Sequence, residues 1–478
     1  MSQREDDVLK KLQDIVGQEN VITDKNELEH YGKDNSFVKP FPPIFVARPA
    51  SKEEVQEIVL MSNKTGFPLV PYTTGTTLQG AHIPSQPSIT VDLSRMNKIQ
   101  LIDPVSRNVI IEPGVTFAQL QEEAKKEGLR VLTPVGVPAH ASVLTTYTEF
   151  TPLFSWSKYG PWEILTAEFV LPTGEIMSTG QMDVGISKYP YSWTTAHALT
   201  NRMYFGAQGT FGIVTNAAVT VKTDYESAEV FFAGFNDLNK LVDAARSFLR
   251  LDETEEVFVA NPRYLSMMLG KTYPEDCTSI MEASSSWTLV MVVRGYKEEV
   301  AYKSLDMEDT ARKEGVKLEK SLPGVPSAGD RVLDEIACPR GALNQNRYKG
   351  SWTPIFCHIT KEDLVRFHGL ITSIASSFDY PAEDIGFFIQ PLNHGGNFYF
   401  EPGFYRNPDN SEESKSIEGL FMKAGSELIS QGAFFDRPYP LWAEQVYARA
   451  TTYHDKVRDI KKAIDPSNIM NPGKLALS

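Results

Sequence analysis

Long apolar runs are missing from this chain: no segment approaches the roughly 18 consecutive apolar residues that a membrane-crossing helix requires. The opening stretch, MSQREDDVLKKLQDIVG, is charged and lacks the apolar region of a secretion signal, so a cytoplasmic, soluble protein with no membrane span is expected. Cysteine is scarce as well. Cys277, Cys338 and Cys357 are odd in number, far apart and outside any CxxC spacing, which argues against a disulfide framework or a thiolate metal site and for buried free thiols. The 8 histidines are scattered without an HExxH or HxxxH pair, so no metal is expected. Basic residues are outnumbered, 47 against 61 acidic ones, and the net charge of −14 repels a polyphosphate backbone, which makes nucleic acid a poor partner.

What is present is a long, aromatic-rich chain of average polarity. At 478 residues it exceeds one ordinary core, and two domains are expected. From about Phe45 to Lys222, short β-rich runs alternate with amphipathic helices. Ser51 with Glu54, and Thr116 with Gln119, read as capping boxes, and Gly66 and Gly128 as helix terminators. Beyond Lys222 the strand-like runs AEVFFAGF, SWTLVMVVRGY, GSWTPIFCHIT and DIGFFIQPLNHGGNFYFEPGF alternate with helices, predicting a broad sheet with helices on one face. The closing YHDKVRDIKKAIDPSNIMNPGKL reads as a helix followed by a turn that rejoins the first domain. The expected division is 1–222, 223–435 and a returning segment, 436–478.

One loop invites a phosphate. PYTTGTTLQG follows the apolar run GFPLV, and Gly75 and Gly80 let a backbone approach a ligand, while threonine hydroxyls add donors. Neither GxGxxG nor GxxxxGK[ST] is present, so on local grounds a plain turn fits as well.

The order of segments separates the two readings. PLVPYTTGTTLQG, ITVDLSRMNKI, VIIEPGVTFAQLQEEAKKEGL, EFVLPTGEIMSTG, YFGAQGTFGIVTNAAVTV and the closing AIDPSNIMNPGKL resemble, in sequence and spacing, the vanillyl-alcohol oxidase or p-cresol methylhydroxylase (PCMH-type) flavoprotein family, nearest its 4-phenol-oxidising branch. The resemblance implies an α+β fold of two domains: a PCMH-type FAD-binding domain and a cap, or substrate, domain with a largely antiparallel sheet covered by helices. It implies FAD on Tyr72, Thr73, Thr74, Gly75, Thr76, Thr77 and Gly80, with Pro134, Ser142 and Thr145 on a loop near the flavin. Gly209, Gly212, Ile213 and Val214 would give main-chain contacts, and Lys474 would lie near the cofactor. His82 lies past the pyrophosphate loop and reads as a surface histidine. FAD is therefore expected to be noncovalent, with a link through Tyr348 as the alternative.

On the substrate side the resemblance implies that Tyr447 and Arg449 hold a phenolate, since a phenol hydroxyl and a guanidinium both donate to an anionic oxygen. On a strand their spacing would put both on one face. Tyr159 falls where the family brings a residue to the pocket, and Glu163 is the candidate general base. His394, Tyr399 and Trp442 are expected to line the pocket. The expected activity is FAD-dependent hydride removal from a para-substituted phenol or benzylic alcohol. QPLNHGGNFYFEP also keeps the skeleton of a 2-hydroxyacid dehydrogenase metal motif at His394, Gly396 and Asn397, but Tyr399 replaces its second histidine, so that activity is the alternative. The electron acceptor, oxygen or a redox protein, and assembly as a homodimer stay open.

Overall fold

The computed structural model describes residues 2–76, 79–156, 160–180, 182 and 200–477. Thr77 and Tyr159, expected at the cofactor and in the pocket, lie outside the described residues.

Every described strand up to Thr223 belongs to one of three small sheets, and every strand from Ser227 onward to a fourth, larger one. In the first sheet Phe45–Ala47, Ile89–Asp92 and Leu69–Tyr72 run parallel, connected by helix Lys52–Thr65. That helix starts at Ser51, whose hydroxyl accepts from Glu54 N at 3.2 Å, and stops at Gly66 in the left-handed region. The reciprocal half of the expected capping box is displaced: Glu54 accepts from Ala50 N instead. At the second box Gln119 likewise reaches away, to Asn97 O, because a neighbouring carbonyl competes for its amide. An antiparallel sheet of five strands, Ile99–Asp103, Asn108–Ile111, Ile213–Thr220, Ile164–Val170 and Ile176–Ser178, completes most of this half.

The larger sheet is antiparallel throughout, ordered Ser227–Phe235, Trp287–Gly295, Thr254–Ala260, Gly386–Leu392, Asn397–Arg406 and Ser351–Pro354, with Cys357–Thr360 also paired to Asn397–Arg406. It is covered on both faces, not on one. Because successive side chains alternate, Phe231, Leu289, Met291 and Val293 enter one core, closed by helices Leu238–Leu249, Leu364–Ser377 and Ser411–Ser430. Phe232, Val290 and Val292 enter another, closed by Pro262–Leu269, Glu275–Ala283 and Ala328–Ala337. Near-continuous apolar strands are what burial on both faces requires.

The chain returns at its end. Leu69 N donates to Ile469 O at 2.7 Å and Asn471 N to Leu69 O at 2.8 Å, which adds residues 469–471 to the edge of the parallel sheet. Lys461, itself buried, pairs with Asp465 and donates to Thr210 O and Met470 O, fixing that segment against the turn at 207–212. Buried bonds also tie the two halves together. Arg130 meets Glu256 at 3.0 Å, Gln79 donates to Pro354 O at 2.9 Å, and Gln390 donates to Leu153 O at 2.6 Å. Among the described residues no helix is long and apolar enough to cross a membrane.

Candidate functional site

Two clefts meet, one within the first half and one between it and the larger sheet. The first spans about 870 Å³, counting space open to solvent, and is bordered by the loop after strand Leu69–Tyr72 and by the turn and strand start at 207–214. Tyr72, Thr73, Gly75, Thr76, Thr145, Gly209, Gly212, Ile213 and Val214 all line it, so most of the expected cofactor residues converge. Gly75 and Gly209 have φ of +65° and +70°, which side chains resist, and a Cβ at Gly209 would stand 2.8 Å from Pro71 Cγ.

Threonine hydroxyls organise the loop. Thr73 Oγ1 pairs with Thr145 Oγ1 at 2.9 Å, and Thr74 Oγ1 accepts from Ser142 N at 3.1 Å and lies 3.3 Å from Thr76 Oγ1. Ser142 caps a short helix, Val143–Thr148, where the sequence reading has a loop; its hydroxyl accepts from Thr145 N. Gly80 is held from two directions, its N–H by Asp34 at 2.7 Å and its carbonyl by Lys474 Nζ at 2.9 Å. Lys474 also donates to Ile83 O, and burial pulls its ammonium down to about 8, opposed by Asp34. Gly80 and Lys474 thus shape the loop without lining the cleft. His82 is corrected from surface to interior: it is 6% exposed, lines the first cleft, and burial lowers its basicity.

The residues fit a dinucleotide. Small residues leave backbone open along the loop, and Gln208 Oε1 and Asn471 Oδ1, both in the cleft wall, are buried with no hydrogen-bond partner. Such orphaned acceptors are costly unless a ligand satisfies them.

The second cleft spans about 610 Å³, counting space open to solvent, and joins the first through Thr76, Thr145 and Glu149, which line both. Its walls are Phe356, Tyr399, Tyr439 and Trp352, and its polar groups include Glu149, Glu401 and Arg437. Tyr399 and Glu401 alternate on strand Asn397–Arg406, which puts both on one face, where the Tyr399 hydroxyl donates to Glu401. Burial pushes the Glu401 carboxyl up to about 7, moderated by Tyr399 and Arg437. The Arg437 guanidinium lies over the Phe356 ring at 3.9 Å, within reach of the Tyr399 hydroxyl at 3.5 Å and 3.6 Å from Asp436. Burial opposes ionisation of Asp436, yet His358 at 3.1 Å and Arg437 hold its carboxyl below the ordinary range. Tyr439 donates to Glu149 Oε2 at 2.8 Å.

Several expected site residues stand elsewhere. Tyr447 and Arg449 are not on a strand: Tyr447 ends helix Ala443–Tyr447, stacked on His454 at 4.2 Å, and Arg449 is exposed and donates to the carbonyls of Ile429 and Ser430. Its charge therefore serves the end of helix Ser411–Ser430. Glu163 is buried against Thr220 in the five-stranded-sheet half and lines neither cleft. Trp442 packs into the core between Phe421 and Phe435, and His394 is exposed at the turn Asn393–Gly395, edge-on to Trp156. Pro134 flanks the second cleft one residue before Val135, bridged to Leu153. The Tyr348 hydroxyl donates to Asp384 at 2.6 Å, and the residue lines neither cleft. Of the expected substrate residues, Tyr399 lines the second cleft. Glu149, Arg437 and Tyr439 are additions. The signal for Arg437 and Glu401 was charge inside an aromatic run, the Asp-Arg pair of FFDRPYPLW and the single Glu of FYFEPGF.

Residues 43–180 match the family model described as an FAD binding domain. An uncharacterised FAD-linked oxidoreductase of Mycobacterium tuberculosis is 27% identical over 242 residues, about half of each chain, at 50% of this one and 51% of the relative. A mitochondrial D-lactate dehydrogenase (cytochrome) of Arabidopsis thaliana is 23% identical and is aligned over 98% of this chain and 80% of its own length. Among solved structures, p-cresol methylhydroxylase with bound substrate superposes with a TM-score of 0.86 at 18% identity, covering 100% of this chain and 98% of the other, a likeness of fold.

Proposed function

We propose that this chain, which carries the FAD-binding domain matched by residues 43–180, is an FAD-dependent oxidoreductase that removes a hydride from a small aromatic substrate, a para-substituted phenol or benzylic alcohol. Bound FAD supplies the hydride acceptor. The observation that carries the reading is the aromatic cleft walled by Phe356, Tyr399 and Tyr439 that opens directly onto the dinucleotide cleft. A flat substrate is shielded from water there, and Arg437, immobilised on Phe356, offers donors to the oxygen of a neutral phenol. In this reading Arg437, Tyr399 and Tyr439 take the anchoring role that the sequence assigns to Arg449 and Tyr447. FAD is held noncovalently, and the engagement of the Tyr348 hydroxyl by Asp384 supports this.

Similarity to a D-lactate dehydrogenase over nearly the whole chain favours a second reading, oxidation of a 2-hydroxy acid with Arg437 on the carboxylate. Anaerobic mixing of the yellow protein with 4-alkylphenols, benzylic alcohols, lactate and glycolate separates the two. Flavin bleaching by the aromatic set alone supports the proposal. Bleaching by lactate or glycolate alone overturns it in favour of the second reading.

A further inference from the structure

Among the described residues, the Asp, Glu, Lys and Arg side chains lining the aromatic cleft are Glu149, Glu401 and Arg437. The arginine is already answered from behind by Asp436 at 3.6 Å. Arg437 attracts both carboxyls without a close ion pair to either, and each is held by a tyrosine hydroxyl, Tyr439 on Glu149 and Tyr399 on Glu401. Glu401 is 3% exposed, with the Tyr264 and Tyr399 hydroxyls beside its carboxyl. Glu149 keeps part of its surface, but that surface faces the two clefts, and the rest of the side chain is enclosed by protein. Burial raises both carboxyls above their ordinary values, so the cleft already strains to hold negative charge.

Resting on the oxidoreductase reading, we propose that Glu149 and Glu401 are specificity-determining residues that make this cleft refuse anions, so that its substrates are uncharged hydroxylated aromatics and not 2-hydroxy acids. A substrate carboxylate would add an anion beside two carboxyls that burial already disfavours as anions, around one paired guanidinium in a water-poor space, where like charges are costly. A neutral hydroxyl meets the opposite situation. It can donate to the Glu149 carboxyl, whose remaining surface faces the clefts. Selectivity thus arises from repulsion of the wrong substrate together with a donor requirement for the right one.

The test uses benzamide and benzoate, similar in shape and differing in charge, titrated calorimetrically into the FAD-loaded protein. Benzamide should bind roughly tenfold or more tightly than benzoate, the scale of a like-charge penalty. That ratio should fall at least severalfold in Glu149→Gln and further when Glu401→Gln is added, with retained flavin absorbance confirming a folded protein. Because Glu149 is the less buried of the two, its single variant stands as the test if the double variant fails to fold. Equal binding of the two ligands by the wild type, or a ratio indifferent to Glu149→Gln, overturns the inference. The activity reading is judged separately with 4-hydroxybenzyl alcohol. If it leaves the flavin oxidised while the benzamide preference holds, the oxidation reading fails and charge selection stands; if it bleaches the flavin while benzoate binds as well as benzamide, the reverse is true.

Discussion

Tyr439 and Glu149 are 290 residues apart in sequence and joined by a 2.8 Å hydrogen bond at the point where the two clefts meet. Removing the donor leaves a deeply enclosed carboxylate with its hydrogen bond unmade. Tyr439→Phe should lower the unfolding free energy by about 1–2 kcal/mol, measured by urea denaturation, with FAD content unchanged. An unchanged midpoint would show that the bond contributes nothing in solution.

Glu401 makes stability depend on pH with a definite sign. Its folded value, about 7, lies above the ordinary carboxyl value near ~4.3 of an unfolded chain. Its stabilising contribution is therefore complete below the unfolded value and is lost as pH rises through the folded one. Between about pH 4 and about pH 8 the wild type should lose about 3 kcal/mol relative to Glu401→Gln. Parallel stability profiles for the two proteins would contradict this.

At Gly75 any side chain meets two obstacles, a φ of +65° and the hydroxyl of Tyr72. Gly75→Ala should cost about 1–2 kcal/mol of stability from the left-handed backbone alone. It should also purify with markedly less FAD, read from the ratio of visible to protein absorbance. Full flavin content would remove this loop from the cofactor's binding surface.

The two arginines of the C-terminal third offer a contrast. Arg449 is exposed and caps a helix end, so Arg449→Ala should cost about 0.5–1 kcal/mol and leave the rate of flavin reduction unchanged. Arg437 is buried in the cleft wall beside Asp436. Arg437→Ala should destabilise by about 3 kcal/mol through the carboxylate it strands, and Arg437→Lys should weaken phenol binding with less loss of stability. Stopped-flow reduction and thermal denaturation of the three variants check the assignment; a slow Arg449→Ala enzyme would restore the sequence-based one.

The convergence of residues on the first cleft was legible for a physical reason. A loop that binds through its backbone must be built from small residues in a fixed place after a strand, and both marks survive in one sequence, as at Gly75 and Gly209. The substrate half was less so. Tyr447 and Arg449 have the right chemistry, but the chain between Trp442 and Thr451 is helical and turned to other neighbours, and no local pattern reveals that. Glu401 and Arg437 sit in runs that read as aromatic core. They are packed like core residues, and only the pairing of distant segments brings their charges into one cleft. His82 misled in the opposite direction, because a loop histidine is usually exposed and this one is enclosed by residues 33–34 and Lys474.

Lys474 closes on Gly80 from 394 residues further along the chain. During synthesis, therefore, the cofactor loop is made early and waits through the production of the entire seven-stranded sheet before its last support exists. Until residues 461–474 emerge, the edge of the parallel sheet beside Leu69 lacks its partner and the turn at Thr210 lacks Lys461. A nascent chain can fold the larger sheet first, but this loop gains its last support only once residues 461–474 have been made.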